Sequence, residues 1–390
     1  MTPTATARGE LYRMNALETA AGWVTGRGRV PVDVPTDAPP DPVAALESAL
    51  LPALQRPPCV VQFSGGRDSS LVLAAALRVA RRHGLPDPVA LTRRFPGVEE
   101  ANEEQWQEDV ARHLSLREWE RVAVYDELDV IGPVAGPSLE RHGLLWPPLL
   151  HQRVFDLWRA GGGSMVDGEG GDEVFRPGRL APLGALARGR RVSLRAAALA
   201  VAPRRARQVA LRRLYRSQVR LPWLRPDAWA RVERALAADH AAEPADWRRA
   251  LLRHPNDPGV ARFVDNYAAL GAEHGVVVVH PLLDPGVLAA VGAAGGRTGF
   301  ADRSSTMVAL FGELLPPAVL HRDSKAGFNA VAFNRHSRAF VAQWRGEGVD
   351  DAMVDVDALR ATWMSSRPHG LSLGLLQAAW LAARPSASAR

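Results

Sequence analysis

The sequence predicts an α/β fold: a doubly wound parallel sheet with an additional helical region. The apolar run Val60-Val61-Gln62-Phe63 leads straight into Ser64-Gly65-Gly66-Arg67-Asp68-Ser69-Ser70, and a helical pattern from Leu71 to Ala80 follows. A second short strand pattern, Ser164-Met165-Val166-Asp167, delivers Gly168-Glu169-Gly170-Gly171-Asp172-Glu173. Strand and helix patterns alternate between the two, the sequence form of a parallel sheet with sites at the strand carboxyl ends.

Residues 1–57 read as a peripheral N-terminal extension. Its Pro-rich stretch from Val30 to Pro42 is extended or looped, and an amphipathic helix follows from Val43 to Gln55. After the first strand, a helix from Ser70 to His83 ends at Gly84, with Pro86 and Pro88 sealing the turn. Val89 to Thr92 is a second strand. Asn102 to Leu114 is a helix opened by acidic residues that suit its positive end. Glu120 to Val124 is a third strand and His151 to Arg159 a helix. Segment 186–231 then holds thirteen arginines and one acid, Asp227, with helical periodicity broken at Pro203, Pro222 and Pro226. It reads as helical arms within an Arg-rich insertion over about 181–250. The rest, to residue 384, is mostly helical with one apolar run, Val276 to Val279; the tail from Pro385 to Arg390 reads as disordered.

The 390 residues are 47% hydrophobic, enough for a sizeable core. No apolar run is long enough to span a membrane, and Met1 to Arg8 lead into no signal-peptide core. The only cysteine, Cys59, excludes an internal disulfide and a Cys-based metal site, so a reducing, cytoplasmic setting is expected. Beside the first strand, Cys59 reads as a small buried residue, not a nucleophile. The eleven histidines show no zinc-ligand spacing. Trp146, Trp158 and Trp223 read as core residues. The arginines of 186–231 read as solvated helical faces, and no nucleic-acid or membrane partner is expected. The 48 lysines and arginines include one lysine, Lys325. A coding bias toward arginine replaces lysine wherever the two are interchangeable, and a compact ammonium among phosphates is not replaceable. The surviving lysine is therefore marked for function.

In the first loop, two glycines let backbone N–H groups approach an anion, and the following helix adds partial positive charge. Ser64, Ser69 and Ser70 offer hydroxyls. Asp68 repels a phosphate unless a divalent cation bridges them, so Asp68 and Asp172 are expected to share Mg2+ around one triphosphate. The acidic loop does not have EF-hand spacing; taken alone, a solvated turn remains its alternative. In His321-Arg322-Asp323-Ser324-Lys325-Ala326-Gly327-Phe328, two cations three apart beside a glycine suit charge building on a leaving pyrophosphate.

These three motifs, in this order, resemble the synthetase domain of the asparagine synthetase family, which includes β-lactam synthetases and lasso-peptide cyclases. Pro96-Gly97 with Glu103-Glu104, Pro281-Leu282-Leu283-Asp284, and Lys325 followed by Phe328 look like further landmarks. The resemblance implies a sheet of the ATP-pyrophosphatase (PP-loop) type and an organisation of one synthetase domain over 58–384. It implies that ATP adenylates a carboxylate, pyrophosphate leaves, and an amine attacks to give an amide and AMP. Lys325 and Arg322 then stabilise charge and Glu169 deprotonates the amine. Ser64, Gly65, Gly66, Asp68, Ser69, Ser70, Thr92 and Gly168 bind ATP; Asp68 and Asp172 hold magnesium.

The departures shape the substrate expectation. The family's glutamine-hydrolysing half begins with a cysteine after the initiator Met; here Thr2 follows Met1, so glutamine is not expected as nitrogen donor. The Glu-x-Arg pair expected before the Pro281 position is replaced in Gly275-Val276-Val277-Val278-Val279-His280, and the aspartate-gripping stretch by His142-Gly143-Leu144-Leu145-Trp146-Pro147-Pro148. A small-molecule or peptide carboxylate larger or less polar than aspartate is therefore expected. The amine sits on the same molecule or comes from a partner protein that supplies peptide or ammonia. The alternatives are an ammonia-dependent asparagine synthetase and a non-catalytic nucleotide-binding homologue.

Overall fold

The computed structural model describes residues 11–25, 36, 39–322 and 327–384. Strands β1 (Cys59–Gln62), β2 (Val89–Arg94), β3 (Trp119–Ala123), β4 (Ser164–Val166) and β5 (Val277–Val279) form an all-parallel sheet in the order β3-β2-β1-β4-β5. Val60 faces Val89 on one side and Met165 on the other. The chain winds from β1 through β2 to β3 in one direction, and β4 and β5 extend the sheet in the other. The reversal leaves a crevice at the carboxyl ends of β1 and β4, where open α/β sheets bind ligands. Both glycine-rich loops depart from that crevice.

Helix α1 (Ala16–Ala21) opens on an Asn15–Glu18 capping box, and α2 (Pro42–Leu54) is capped by Asp41. Helix α3 (Arg67–Arg82) carries the chain from β1 to β2, and α4 (Glu104–His113) from β2 to β3. Helices α5 (Ala135–His142) and α6 (Val154–Ala160) lead to β4, and α7 (Gly171–Val174) follows it. The Arg-rich arms are α8 (Ala181–Ala187), α9 (Leu194–Val201), α10 (Arg204–Gln218) and α11 (Pro226–Ala241). Helices α12 (Trp247–Leu251) and α13 (Pro258–Glu273) precede β5. Beyond it come α14 (Pro285–Gly295), α15 (Arg303–Phe311), α16 (Pro317–Leu320), α17 (Asn329–Ala332), α18 (Arg335–Gln343), α19 (Val356–Met364) and α20 (Leu373–Ala382).

Successive strand residues point to opposite faces, and both faces of this sheet are covered, so β1 reads as a continuous apolar run. Val61 packs with Leu46 and Leu50 of α2, Leu71 and Ala75 of α3, Trp247 and Phe311. Val60 packs on the other face with Leu91, Leu157, Met165, Tyr267 and Leu270. A separate helical core gathers Trp223, Val232, Trp344, Trp363 and Leu376 around α1 and α20. Phe95, Val124, Leu128, Phe155 and Val331 form a fourth cluster.

Several expectations change. The N-terminal 57 residues are not peripheral where they are described: Leu46, Leu50 and Leu54 recur every four residues, share one helix face, and are buried. Helix α3 starts at Arg67, before Ser70, because Gly66 takes an extended N-cap conformation and the helix begins directly on the loop. The helix expected from His151 to Arg159 is a 3-10 turn, Pro148–Arg153, running into α6. The valine run contains a three-residue edge strand, β5, too short to show a strand period. Trp223 is a core residue, but Trp158 is exposed and Trp146 is half-buried, donating its indole N–H to Gly259 O at 2.8 Å. Cys59 is buried, and desolvation pushes its thiol up to about 12, which keeps it inert. Residues 30–35, 37 and 38 of the Pro-rich stretch and the tail 385–390 lie outside the described residues. Among the described residues, no helix is long and apolar enough to cross a membrane.

Candidate active site

The loop between β1 and α3 is a closely packed nest. Gly66 N donates to Ser64 Oγ at 3.2 Å, Ser69 Oγ donates to Gly66 O at 3.1 Å, and the two hydroxyls lie 3.1 Å apart. Gly65 has φ +86°, and a Cβ there would lie 2.8 Å from Gln107 Cγ, so the turn requires glycine. No side chain caps α3. Its first-turn N–H groups therefore remain donors for an anion.

The acidic loop after β4 interlocks with this nest. A Cβ on Gly168 would meet Ser69 N at 2.8 Å, and one on Gly171 would meet Asp68 Cγ at 2.2 Å. The loops approach so closely that only glycine fits between them. Gly171→Ala is expected to cost about 1–3 kcal/mol through overpacking and to weaken ATP binding by displacing Asp68. Thermal melts paired with nucleotide titration check this; an unchanged variant on both counts contradicts it.

Asp68 and Asp172 converge on one cation. The Arg303 guanidinium, at the start of α15, binds Asp172 through Nη1 and Asp68 through Nη2. Burial raises the Asp68 carboxyl and Arg303 opposes the shift. Oδ1 of Asp68 is buried with no hydrogen-bond partner. Two convergent carboxylates, completed by phosphate oxygens, are the ligand set magnesium takes. Among the described residues, no cluster of three or more His, Cys, Asp or Glu forms a metal site on its own. The donor set thus fits an ion that arrives with phosphates.

Both loops open into a cavity of about 570 Å³. Ser64, Gly66, Asp68, Ser69, Gly168, Glu169, Asp172, Arg303 and Arg322 make its polar part. Leu91, Phe95, Leu128, Leu149, Phe328, Val331 and Ala332 make an apolar part. Thus the structure brings together most of the residues named from sequence. Three of those described, Ser70, Thr92 and Gly65, do not join the lining. Ser70 is fully buried within α3. Thr92 is buried between strands, where its Oγ1 donates to Phe63 O at 2.7 Å and accepts from Trp119 Nε1 at 2.9 Å. Strand geometry turns its side chain into the sheet's packing, where it links β1, β2 and β3 away from the cavity lining. Gly65 faces Arg322, accepting from Nη1 at 2.9 Å. Arg322 also pairs with Glu103 and lies over the Trp106 ring at 5.0 Å, so it braces the loop as well as lining the cavity. Lys325 lies outside the described residues.

Glu169 points into the cavity with Arg153 Nη2 donating to its Oε1 at 2.5 Å. Protein encloses the carboxylate on most sides, yet it is accessible from the cavity. Burial raises its pKa; Arg153 opposes and Asp167 adds to the rise. Behind it, Asp167 Oδ1 accepts from Glu169 N at 3.1 Å and from His280 Nδ1 at 2.8 Å, so His280 fixes the loop through Asp167. Arg153 also reaches Gln62 Oε1, and Gln62 Nε2 reaches the fully buried Asp156, which binds Arg93. This network of Gln62, Arg93, Arg153, Asp156 and His280 was missed in the sequence. Of these, only His280 had a signal, as a histidine directly before Pro281. The segment 142–148 does not line the cavity; the 3-10 turn after it supplies Leu149, Gln152 and Arg153.

This arrangement can bind a polyanion at a helix N-terminus, hold a cation between two carboxylates, and present a desolvated carboxylate beside an apolar wall. Compared with proteins of curated function, the chain finds no match. A family model described as asparagine synthase matches residues 45–382. The match covers nearly the whole 390-residue chain and both loops, and the chain belongs to the asparagine synthase family.

Proposed function

We propose that the chain is an AMP-forming amide-bond synthetase acting on a carboxylate larger or less polar than aspartate, in specialised metabolism. Family membership establishes the coarser statement, an ATP-dependent amide-forming synthetase. The observation that carries the finer reading is the single cavity joining a phosphate nest to an apolar wall through Glu169. In this reading the Ser64–Ser69 loop and the α3 N-terminus hold the ATP phosphates, and the substrate's apolar body lies along Phe95, Leu128 and Leu149. Its carboxylate attacks the α-phosphorus, forming an acyl-adenylate and releasing pyrophosphate. Asp68 and Asp172 would hold magnesium, which supplies charge neutralisation at the pyrophosphate. Arg303 leaves the two carboxylates and turns to the phosphates. Lys325 stabilises the charge that develops, while Glu169 takes a proton from the attacking ammonium, and the amine expels AMP.

Product analysis tests the reading. ATP consumed with a suitable carboxylate and amine is expected to yield AMP and pyrophosphate. ADP and phosphate, or efficient asparagine formation from aspartate and ammonium, would overturn it. Labelling tests the placement of Lys325, the chain's only lysine. ATP with magnesium is expected to shield it from an amine-reactive reagent, whereas an ordinary surface lysine reacts equally with and without nucleotide.

A further inference from the structure

We propose that Arg303 is the internal counterion of the nucleotide-free chain: it closes Asp68 and Asp172 to a divalent cation and yields them only when nucleotide phosphates arrive with that cation. The proposal rests on the assignment of these two carboxylates to magnesium above, and it concerns what the chain does before the metal is bound. The observation behind it is the fork of Arg303, which gives Nη1 to Asp172 Oδ1 and Nη2 to Asp68 Oδ2. One guanidinium thus spans both carboxylates. The other oxygen of Asp68, Oδ1, is buried with no hydrogen-bond partner. Neither oxygen of Asp68 is open to the cavity while the fork is in place.

The fold makes a resident cation necessary. Asp68 stands in the first turn of α3 and Asp172 in the first turn of α7. The two elements are pressed together. A Cβ on Gly171 would lie 2.2 Å from Asp68 Cγ, and one on Gly168 3.2 Å from Asp68 Cβ. The carboxylates therefore cannot relieve their repulsion by parting. Water relieves it little at Asp68, whose side chain is 22% exposed.

The backbone around Arg303 is anchored, but its head is not. Asp302 N donates to Ser305 Oγ at 3.1 Å and Ser305 N to Asp302 Oδ1 at 2.8 Å, which fixes the start of α15. Ser304 Oγ accepts from Arg67 Nη1 at 2.8 Å, which ties that start to α3. Among the described residues, the hydrogen bonds of Arg303's guanidinium go to the two carboxylates alone, and its Nε is buried without a partner. The neighbouring cations are held by other groups: Arg67 also by Leu320 O at 3.3 Å, and Arg322 by Gly65 O and Glu103. Arg303 is thus the cation free to change partners.

Charge then sets the order of binding. Among the described residues, no further His, Cys, Asp or Glu joins the pair to make a metal site of three. A bare divalent ion gains two carboxylates here and turns out a guanidinium that finds no new acceptor. A triphosphate supplies the missing oxygens and also accepts the guanidinium. Metal and nucleotide therefore bind with positive coupling, and the coupling is reciprocal.

The test uses the full chain with Mn2+ as the probe, counting unbound ion by its electron paramagnetic resonance signal. Without nucleotide, Arg303→Met and Arg303→Gln are each expected to bind Mn2+ about tenfold or more tighter than wild type, because the pair is then open at all times. Asp172→Asn added to Arg303→Met is expected to abolish the gain. Wild type is expected to bind Mn2+ about tenfold or more tighter with the α,β-methylene analogue of ATP than without it, after correction for ion held by the free analogue. Mn2+ alone is expected to raise the melting temperature of Arg303→Met and to leave that of wild type unchanged. Equal affinity of wild type and both variants without nucleotide, a gain that survives Asp172→Asn, or wild-type binding of the ion alone as tight as with the analogue would overturn the proposal and leave the metal assignment standing. The wild-type comparison decides even where a variant does not fold. A chain that takes up no Mn2+ with the analogue present would overturn the assignment, and the proposal with it.

Discussion

Glu169→Gln is expected to slow amide formation by about 10²–10⁴-fold, the usual contribution of a positioned general base, while carboxylate-dependent exchange of pyrophosphate into ATP continues. The two half-reactions separate because adenylation needs no base at the amine. Glutamine keeps the size of the side chain and an oxygen that accepts from Arg153, so what is lost is the negative charge and the basic oxygen. The pH profile carries a second, signed expectation. Burial raises the Glu169 carboxyl above its ordinary value and Arg153 holds it down. A base works deprotonated, so the rate of the amine step falls as pH drops through that raised pKa. Arg153→Met removes the opposing cation, so the acidic limb is expected to move to higher pH. A Glu169→Gln enzyme near full rate, or an acidic limb that moves to lower pH in Arg153→Met, would remove Glu169 from the role of base.

Asp156→Ala is expected to cost about 3–5 kcal/mol of stability, the range for removing one partner of a buried ion pair. The lower end is the expected value, because the Arg93 side chain is 23% exposed toward the cavity while Asp156 is fully buried. The carboxylate accepts from Arg93 Nε at 3.0 Å and from Gln62, and it ties β1, β2 and α6 together. Asp156→Asn keeps the shape and part of the hydrogen bonding, so its cost is expected to be smaller. Urea unfolding checks both, read as a lower midpoint at unchanged slope. A loss for Asp156→Ala below about 1 kcal/mol, the range of an exposed pair, would show that the contact is a surface-like one.

The parallel α/β class and the meeting of the two glycine-rich loops were legible because each loop follows a short apolar run with residues that have no place in a core. The lines of force inside the site were not. Arg303 and Arg153 lie in segments with no motif, and in a chain where nearly every basic residue is arginine, an arginine carries no signal. Asp156 sits on a short helix whose spacing shows only that one face is apolar. Its role appears when β2 brings Arg93 alongside. Thr92 and Ser70 were assigned to ATP through the family resemblance, Ser70 also as one of the loop's hydroxyls. The strand's alternation and the helix's turn send both side chains inward.

The placement of α1 has a consequence for how the nascent chain matures. Tyr12 N donates to Asn266 Oδ1 at 2.7 Å, Met14 N to Leu144 O at 2.8 Å, and Trp223 Nε1 to Ala20 O at 2.8 Å. Gly374, at the start of α20, abuts Met14 and Thr19. Residues 12–19 thus find these neighbours only when residue 374 has emerged. Until then the wall of Trp223, Trp363 and Leu376 is open on one side. Closing so long a loop costs little more entropy than closing one half its length. Its price is time, during which the unfinished apolar surface is exposed to other chains. A ribosome stalled before α20 would therefore release a polypeptide with its sheet assembled but its second core unsealed, a species for chaperones to hold and not an enzyme merely shortened.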